Sequence, residues 1–516
     1  MKDMRANNAH PMVFFSVDNK DFLCPGTANG NSEHFLTVQA YIVMVDGTEE
    51  GGGRPCEPRL NAKLQRKAPS PNDVEVTHYT ASKMVPPELN TPCDMAAPDV
   101  EGVAAQDGRA WAAASRFSHE EGGVDFKTFA TRACEDHGST RDLIFTLPAL
   151  DFPPRSSAGT DAIISTVLDL LKQLNQDSCM LFCDGVEYAD LALKVHSNDE
   201  VGRQIFLALG GFHLCQAVMG SLGTVFKSAG LQSVVEDSGV LGEATCKQAF
   251  SCRHWDRAFR LNTLLYEVLC GDLYQRWVET IEDEGWKAKL DALQTMLSST
   301  RSEDVRKALD SDDMSRFHTE FCAFVDGRKS ESGTFRFYAE YLDAVGELLH
   351  YIKVSRDFES HGLESYIQAM EAFLPLLNSA DRMLYRRMLA IHCEQLKRMR
   401  RTHPELEAVL RKGVGMCIRR NGQKFGAVWP DLCHEQGVNK AAAACLWRVP
   451  GDVGARESFF RSYSAITNIV HSLEKLSSAR LRVSRAERRR PRSQTKGKQS
   501  REGGRPQRGP RKRAKQ

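Results

Sequence analysis

An α/β fold built on one mixed sheet, with a large α-helical insertion and a disordered basic C-terminal tail, is what this 516-residue sequence predicts. Three observations carry that expectation. Two apolar runs near the N-terminus read as a hairpin, strands alternate with helices between about 142 and 213, and a long stretch with helical periodicity follows. Six segments result: residues 1–45 form the hairpin part of the sheet domain and 46–115 a low-complexity insertion or disordered loop. Residues 116–213 form the βαβ core and 214–412 the inserted helical domain. Residues 413–478 hold a final strand, an acidic helix and a C-terminal helix, and 479–516 are the tail.

The hairpin is read from "VFFSVDNKDF" and "HFLTVQAYIVMV", which are rich in β-branched and aromatic residues and are separated by the turn-forming "CPGTANGN". Gly, Pro and charge without a period then dominate 46–115, so no structure is placed there. "DLIFTLPAL" (142–150) is the next strand, and a helix at about 160–175 leads to the buried strand "CMLFCDG". Another helix at about 186–195 leads to "RQIFLALGGFH" (203–213). Strands joined by helices at this spacing pair in parallel through right-handed crossovers. From about 214 to 412 apolar positions recur at threes and fours, as in "FRFYAEYLDAVGELLHYI". "GVGMCIRR" (413–420) reads as a last strand, and a helix at 430–445 carries "WPDLCHEQGVNK".

The net charge of +1 averages two unlike regions. Residues 480–516 hold sixteen Lys and Arg against two Glu, which leaves 52 bases and 65 acids for the rest. The tail has almost nothing apolar to bury, so it stays unfolded. Its clusters Arg488, Arg489, Arg490 and Arg511, Lys512, Arg513 are candidate phosphate contacts and a nuclear-import signal. No apolar stretch is long enough to span a bilayer and none follows the N-terminus as a signal core, so a soluble, non-secreted nuclear protein is expected. Fifteen cysteines without a CxxC pair suggest neither a zinc ribbon nor a thioredoxin-like site, and a disulfide framework is unexpected.

The residues that carry chemistry are acids at strand ends. Asp18 and Asp21 end the first strand, where they make either a polar turn or a metal-facing tip; Asp184 ends the "CMLFC" strand and His213 the next. Asp431 and Glu435, four apart, share one face of the last helix, where acid also complements the helix dipole.

In this order the parts resemble RNase H-like DDE transposases, notably the hAT and Mutator groups. They are more similar still to a family of transposon-associated eukaryotic proteins. The motifs are Asp18-Asn19-Lys20-Asp21, His34, Gly210-Gly211-Phe212-His213, Ser238-Gly239, His254 with Arg257 and Arg260, and Asp431 through Lys440. They run in order over residues 12–445 apart from the 46–115 insertion. The glycine-rich segment that often follows the last motif is replaced here by "AAAACLWRVPGDVGAR".

The resemblance implies an RNase H-like sheet and metal-dependent phosphoryl transfer on DNA. Asp18, Asp184 and Glu435 would be the catalytic carboxylates and ligands of two Mg²⁺ or Mn²⁺ ions, with Asp431 the competing third ligand. Asp21 and His213 would support them. Such chemistry wants hard oxygen ligands, which carboxylates supply. DNA and a second copy of the chain are the implied partners. The alternative is a non-catalytic nucleic-acid-binding or interaction protein of the same descent.

Overall fold

The computed structural model describes residues 12–23, 32–43, 108–113, 124–134, 141–146, 150, 156–419 and 425–435. The insertion is described only at 108–113, a buried helical turn where the sequence suggested no structure. Its Trp111 stacks on Tyr266 of the helical region at 6.1 Å. The basic tail and residues 436–445 of the expected last helix lie outside the described residues.

Five strands form one mixed sheet in the order β3-β2-β1-β4-β5. They are β1 (Met12–Leu23), β2 (Ser32–Val43), β3 (Leu143–Thr146), β4 (Cys179–Cys183) and β5 (Ile205–Leu209). β2 lies antiparallel between β1 and β3, while β4 pairs in parallel with both β1 and β5. Every residue of β4 and β5 is buried, as is the run Met12–Val17 of β1. That is why these strands read as unbroken apolar runs and not as alternating ones.

Helix α1 (Ser157–Leu174) starts on a Ser156 cap and ends at Asn175, whose φ of 52° turns the chain left-handed. The next residue does more than turn. The buried Gln176 side chain accepts from Val13 N at 2.8 Å and donates to Val13 O at 2.9 Å. An amide side chain thus takes the place of a strand neighbour where β1 begins and β4 has not yet started. α2 (Gly185–Val195) and a short helix, Asp199–Gln204, then cross from β4 to β5.

Three expectations need correction. β1 does not turn at Asp18: its pairing with β2 continues to Leu23 opposite Ser32, because β2 satisfies the backbone after β4 has ended. The strand expected at 203–213 stops at Leu209, since Gly210-Gly211-Phe212-His213 opens helix α3 (Gly211–Val225). Of the strand expected at 413–420, the described residues 413–419 hold a single bridge, Ile418 to Val428, after left-handed turns at Gly413 and Gly415.

The helical region is as extensive as periodicity indicated, running from Leu231 to Leu410. α4 (Trp255–Glu279) packs on α3 and on α5 (Gly333–Arg356), α5 on α6 (Phe358–Glu371), α6 on α7 (Met383–Thr402), and α7 on β5 of the sheet. α8 (Pro430–His434) closes the chain back onto the sheet. The apolar stripe of α5 faces inward: Tyr341, Leu342, Val345, Leu348, Leu349 and Ile352 are all buried.

Replacing Gln176 with Ala strands the buried N–H and C=O of Val13. Each unsatisfied group costs about 1–3 kcal/mol, so Gln176→Ala should lower the urea midpoint well beyond a surface control. Gly327→Ala, within helix Asp312–Lys329 and with open space at its Cβ position, should hold or raise it. Urea unfolding followed by circular dichroism checks both.

Candidate active site

Phe15 pairs with Leu181 and Ser16 with Phe182 across the parallel strands β1 and β4. Two residues further along each strand stand Asp18 and Asp184, so this register sets the two acids level at the carboxyl end of the sheet. Asp184 also caps α2, its Oδ1 accepting from Val186 N at 2.8 Å and Glu187 N at 3.0 Å. Sequence reasoning weighed a cap against a ligand for this residue; the cap uses one carboxylate oxygen.

On the other side of β4, the start of α3 has no capping side chain, because its N-cap is Gly210. Asp431 supplies one from more than two hundred residues away. Its carboxylate accepts from Phe212 N at 3.3 Å and His213 N at 3.0 Å, and it meets His213 Nδ1 at 3.1 Å. The paired glycines make room for this approach. A Cβ on Gly210 would lie 2.2 Å from Asp431 Oδ2, and one on Gly211 would lie 2.3 Å from the Trp429 ring. Thus "GGFH" and "WPD" are two halves of one joint. Asp431, buried and committed to that joint, is the weaker choice for a third ligand.

His213 is the electrostatic hub. Burial pulls its imidazole down, but the hydrogen bond it donates to Asp431 and the charges of Asp431, Asp184 and Asp18 reverse this and raise it to about 9. Asp431 touches the ring, and Asp184 and Asp18 lie near enough for their charges to act on it. The His213 side chain remains 20% exposed, so the cluster opens to solvent.

α8 brings the remaining acid. His434, fully buried, meets Ser16 Oγ with its Nδ1 at 3.1 Å, which fastens the helix to β1 two residues before Asp18. Burial pushes this imidazole down to about 4. Glu435 follows immediately as the C-cap, and its buried Oε2 has no hydrogen-bond partner among the described residues. An acid oxygen out of water without a donor is costly unless the group takes up a proton or a cation meets it. Asp21 lies farther out on β1, and its side chain is outside the described set, as is that of His34.

Hard oxygens at Asp18, Asp184 and Glu435 are the donor chemistry that Mg²⁺ or Mn²⁺ takes, and the unpartnered Glu435 oxygen fits such an ion. Among the described residues no group of three or more His, Cys, Asp or Glu side chains already stands close enough together to hold one. Several neighbours escaped sequence reasoning. Tyr385 of α7 packs on the N-terminus of α2, where a Cβ on Gly185 would lie 2.7 Å from its ring. Burial and then the Asp184 charge push its phenol above the ordinary range. Trp429 stacks on Tyr351 at 6.3 Å and donates to Ser355 Oγ at 3.1 Å. Ser16 carried no signal at all; Trp429 was visible as a bulky residue just before the Pro430 helix start.

A family model described as a domain of unknown function (DUF8702) matches residues 125–502. No curated protein matches the chain, and no solved structure does. No helix among the described residues is long and apolar enough to cross a membrane.

The two histidines give the site opposite pH limbs. His213 is raised above its unfolded value near 6.5, so its contribution is complete below pH 6.5 and is lost as pH climbs through about 9. His434 is depressed, so its contribution is complete above pH 6.5 and is lost as pH falls through about 4. The His213 share is about 3 kcal/mol. His213→Gln should therefore flatten the alkaline limb of stability between pH 6.5 and 9 and leave the acid limb in place, as read from thermal melts across that range.

Proposed function

For a chain that belongs to the DUF8702 family, we propose metal-dependent phosphoryl transfer on nucleic acid, with DNA as the substrate. Asp18, Asp184 and Glu435 are the proposed carboxylates. The observation that carries this reading is the register of β1 and β4, which levels Asp18 with Asp184, together with α8, which adds Glu435 beside β1. The strand order, with an antiparallel hairpin flanking a parallel pair, supports an RNase H-like sheet. Asp431 then serves as the brace that holds α3 and α8 together, and His213 as a cationic side chain open to a substrate phosphate.

Bound Mg²⁺ or Mn²⁺ would supply the activation of an attacking oxygen and the neutralisation of a leaving one. The protein's part is to hold three acids at one sheet end, orient Asp184 through its cap on α2, and shield the joint from water with Trp429. A second reading, a nucleic-acid-binding protein without catalysis, draws on the cap itself, since a helix start alone accounts for half of the Asp184 carboxylate. In both readings the basic tail adds phosphate contacts and directs the chain to the nucleus.

Cleavage of supercoiled DNA with Mg²⁺ or Mn²⁺ decides between them. The wild type should nick or linearise the plasmid, while Asp18→Asn, Asp184→Asn and Glu435→Gln each lose at least about 100-fold, beyond the factor of ten that about 1.4 kcal/mol represents. A readout independent of turnover accompanies it. Millimolar metal should raise the wild-type melting temperature through preferential binding to the folded state. Asp184→Asn keeps the Oδ1 cap, so it should fold as well as wild type without metal and gain little with it. Equal metal stabilisation of both proteins would refute the site.

Deleting residues 480–516 should weaken DNA binding and flatten its dependence on salt, because each phosphate contact removed reduces the logarithmic slope by about 0.9. A titration of binding against NaCl for full-length and truncated chains measures this, and an unchanged slope would remove the tail from the interface.

A further inference from the structure

Beside the carboxylate centre α3 carries a face of which the proposed chemistry uses only His213. His213, Ala217 and Gly220 recur at i, i+4 and i+7 along α3, so they share one face of that helix. The seven residues span about 10 Å of helix. At its far end, a Cβ on Gly220 would lie 3.3 Å from the Arg382 guanidinium and 3.8 Å from the Ser251 carbonyl. Gly220 therefore leaves the space in which Arg382 lies against α3. Arg382 comes from the tight turn that opens α7, where Asp381 adopts a left-handed φ of 54° and Arg382 N donates to Leu377 O at 2.9 Å. Three residues on, Tyr385 reaches the start of α2 beside Asp184.

The chain that follows Ser251 is also basic. Ser251 leads through Cys252, another left-handed residue, to Arg253 and then to Arg257 on the first turn of α4. That turn is fixed to the site, because Trp255 packs on Phe212 at 5.1 Å. Arg253, Arg257 and Arg382 are all exposed, and none has an ion-pair partner among the described residues. Some other exposed cations of the helical region are paired within their own helices, as Lys247 is with Glu243 and Arg276 with Asp272. In a body with more acids than bases, three unpaired guanidiniums flanking one helix face are an anion-binding arrangement. Met383 and Leu384, each more than 40% exposed, add apolar surface next to Arg382.

We propose that the α3 face between Arg382 and Arg253 is the track on which a single nucleic-acid strand lies as it enters the carboxylate centre, with Arg382, Arg253 and Arg257 on its phosphates and Met383 and Leu384 against its bases. This rests on the phosphoryl-transfer reading and adds the substrate's path to it. The pairing of guanidiniums with exposed apolar side chains fits an unpaired strand, whose bases present their faces, better than a duplex, whose bases are stacked inside.

The test uses the full-length chain in EDTA, so that binding is separated from cleavage, and follows the fluorescence anisotropy of a labelled 20-nucleotide single strand across a salt series. Arg382→Ala and Arg253→Ala should each weaken binding several-fold and lower the logarithmic salt slope by about 0.7, the single-strand value per phosphate contact. Arg382→Lys should recover most of the slope, because it keeps the charge. Arg301→Ala, at the start of helix Ser302–Leu309, should change neither. If the wild type binds and both Ala variants keep its affinity and slope, the track is refuted while the carboxylate reading stands. If polyglutamate of equal charge displaces the strand as effectively as unlabelled DNA does, the face is a site for acidic peptide and the proposal is equally overturned. A wild type that neither binds the strand nor cleaves DNA with metal would refute the functional reading itself.

Discussion

Asp431 is the group on which the arrangement turns. One carboxylate caps a helix that has no cap of its own, pairs with the first imidazole of that helix, and anchors the segment that returns the chain to the sheet. Burying a charge is costly unless it is fully engaged, and here three donors engage it. The two glycines are the steric condition for this approach, since any side chain at either position would collide with Asp431 or Trp429. Everything near the site inherits its position from this joint. α3 carries the basic face, α8 carries Glu435, and Trp429 seals the seam between sheet and helices.

The helical region thereby becomes more than an insertion. Tyr351, Tyr366, Phe373 and Trp429 form a continuous aromatic contact, so the last described segment is clasped by α5 and α6 as well as by the sheet. Arg356, buried at the end of α5, donates to Ala427 O at 2.7 Å and lies 4.6 Å from the Phe425 ring. A buried guanidinium that binds a carbonyl and an aromatic face holds an irregular segment in place where no regular ladder is available. The three-stranded antiparallel part gains a similar clamp at its rim, where Asp142 and Arg419 join through both backbone and side chains.

How much of this was legible in the sequence follows the range of each interaction. β4 and β5 were plain because both faces of a central parallel strand are apolar. The helices of the 214–412 region were plain because their stripes are local. His213 was misplaced on a strand because the residue that starts its helix is 218 positions away, and local caps are all that a linear reading detects. Asp18 was read as the end of a strand for a related reason. It ends the part of β1 that β4 can pair with, while β2 carries the strand on for five more residues. The acids themselves were identifiable by type and order, yet the division of labour between Asp431 and Glu435 was not. Both sit one turn apart on the same short helix, and only the position of α3 distinguishes a brace from an unpartnered oxygen.

The contact between Ser16 and His434 spans 418 residues, and this has a consequence for the birth of the protein. Of the described strands the central one is made first, and the helix that covers its end is the last described element to be made. At roughly 5–20 residues per second, that leaves roughly 20–80 s between the two. During that interval β1 has its hairpin partner and, once made, β4 beside it, but not the helix that covers its end. The same delay has a protective side. Asp18 and Glu435 cannot meet before α8 is made, so a chain cut short anywhere before α8 lacks one of the three proposed carboxylates.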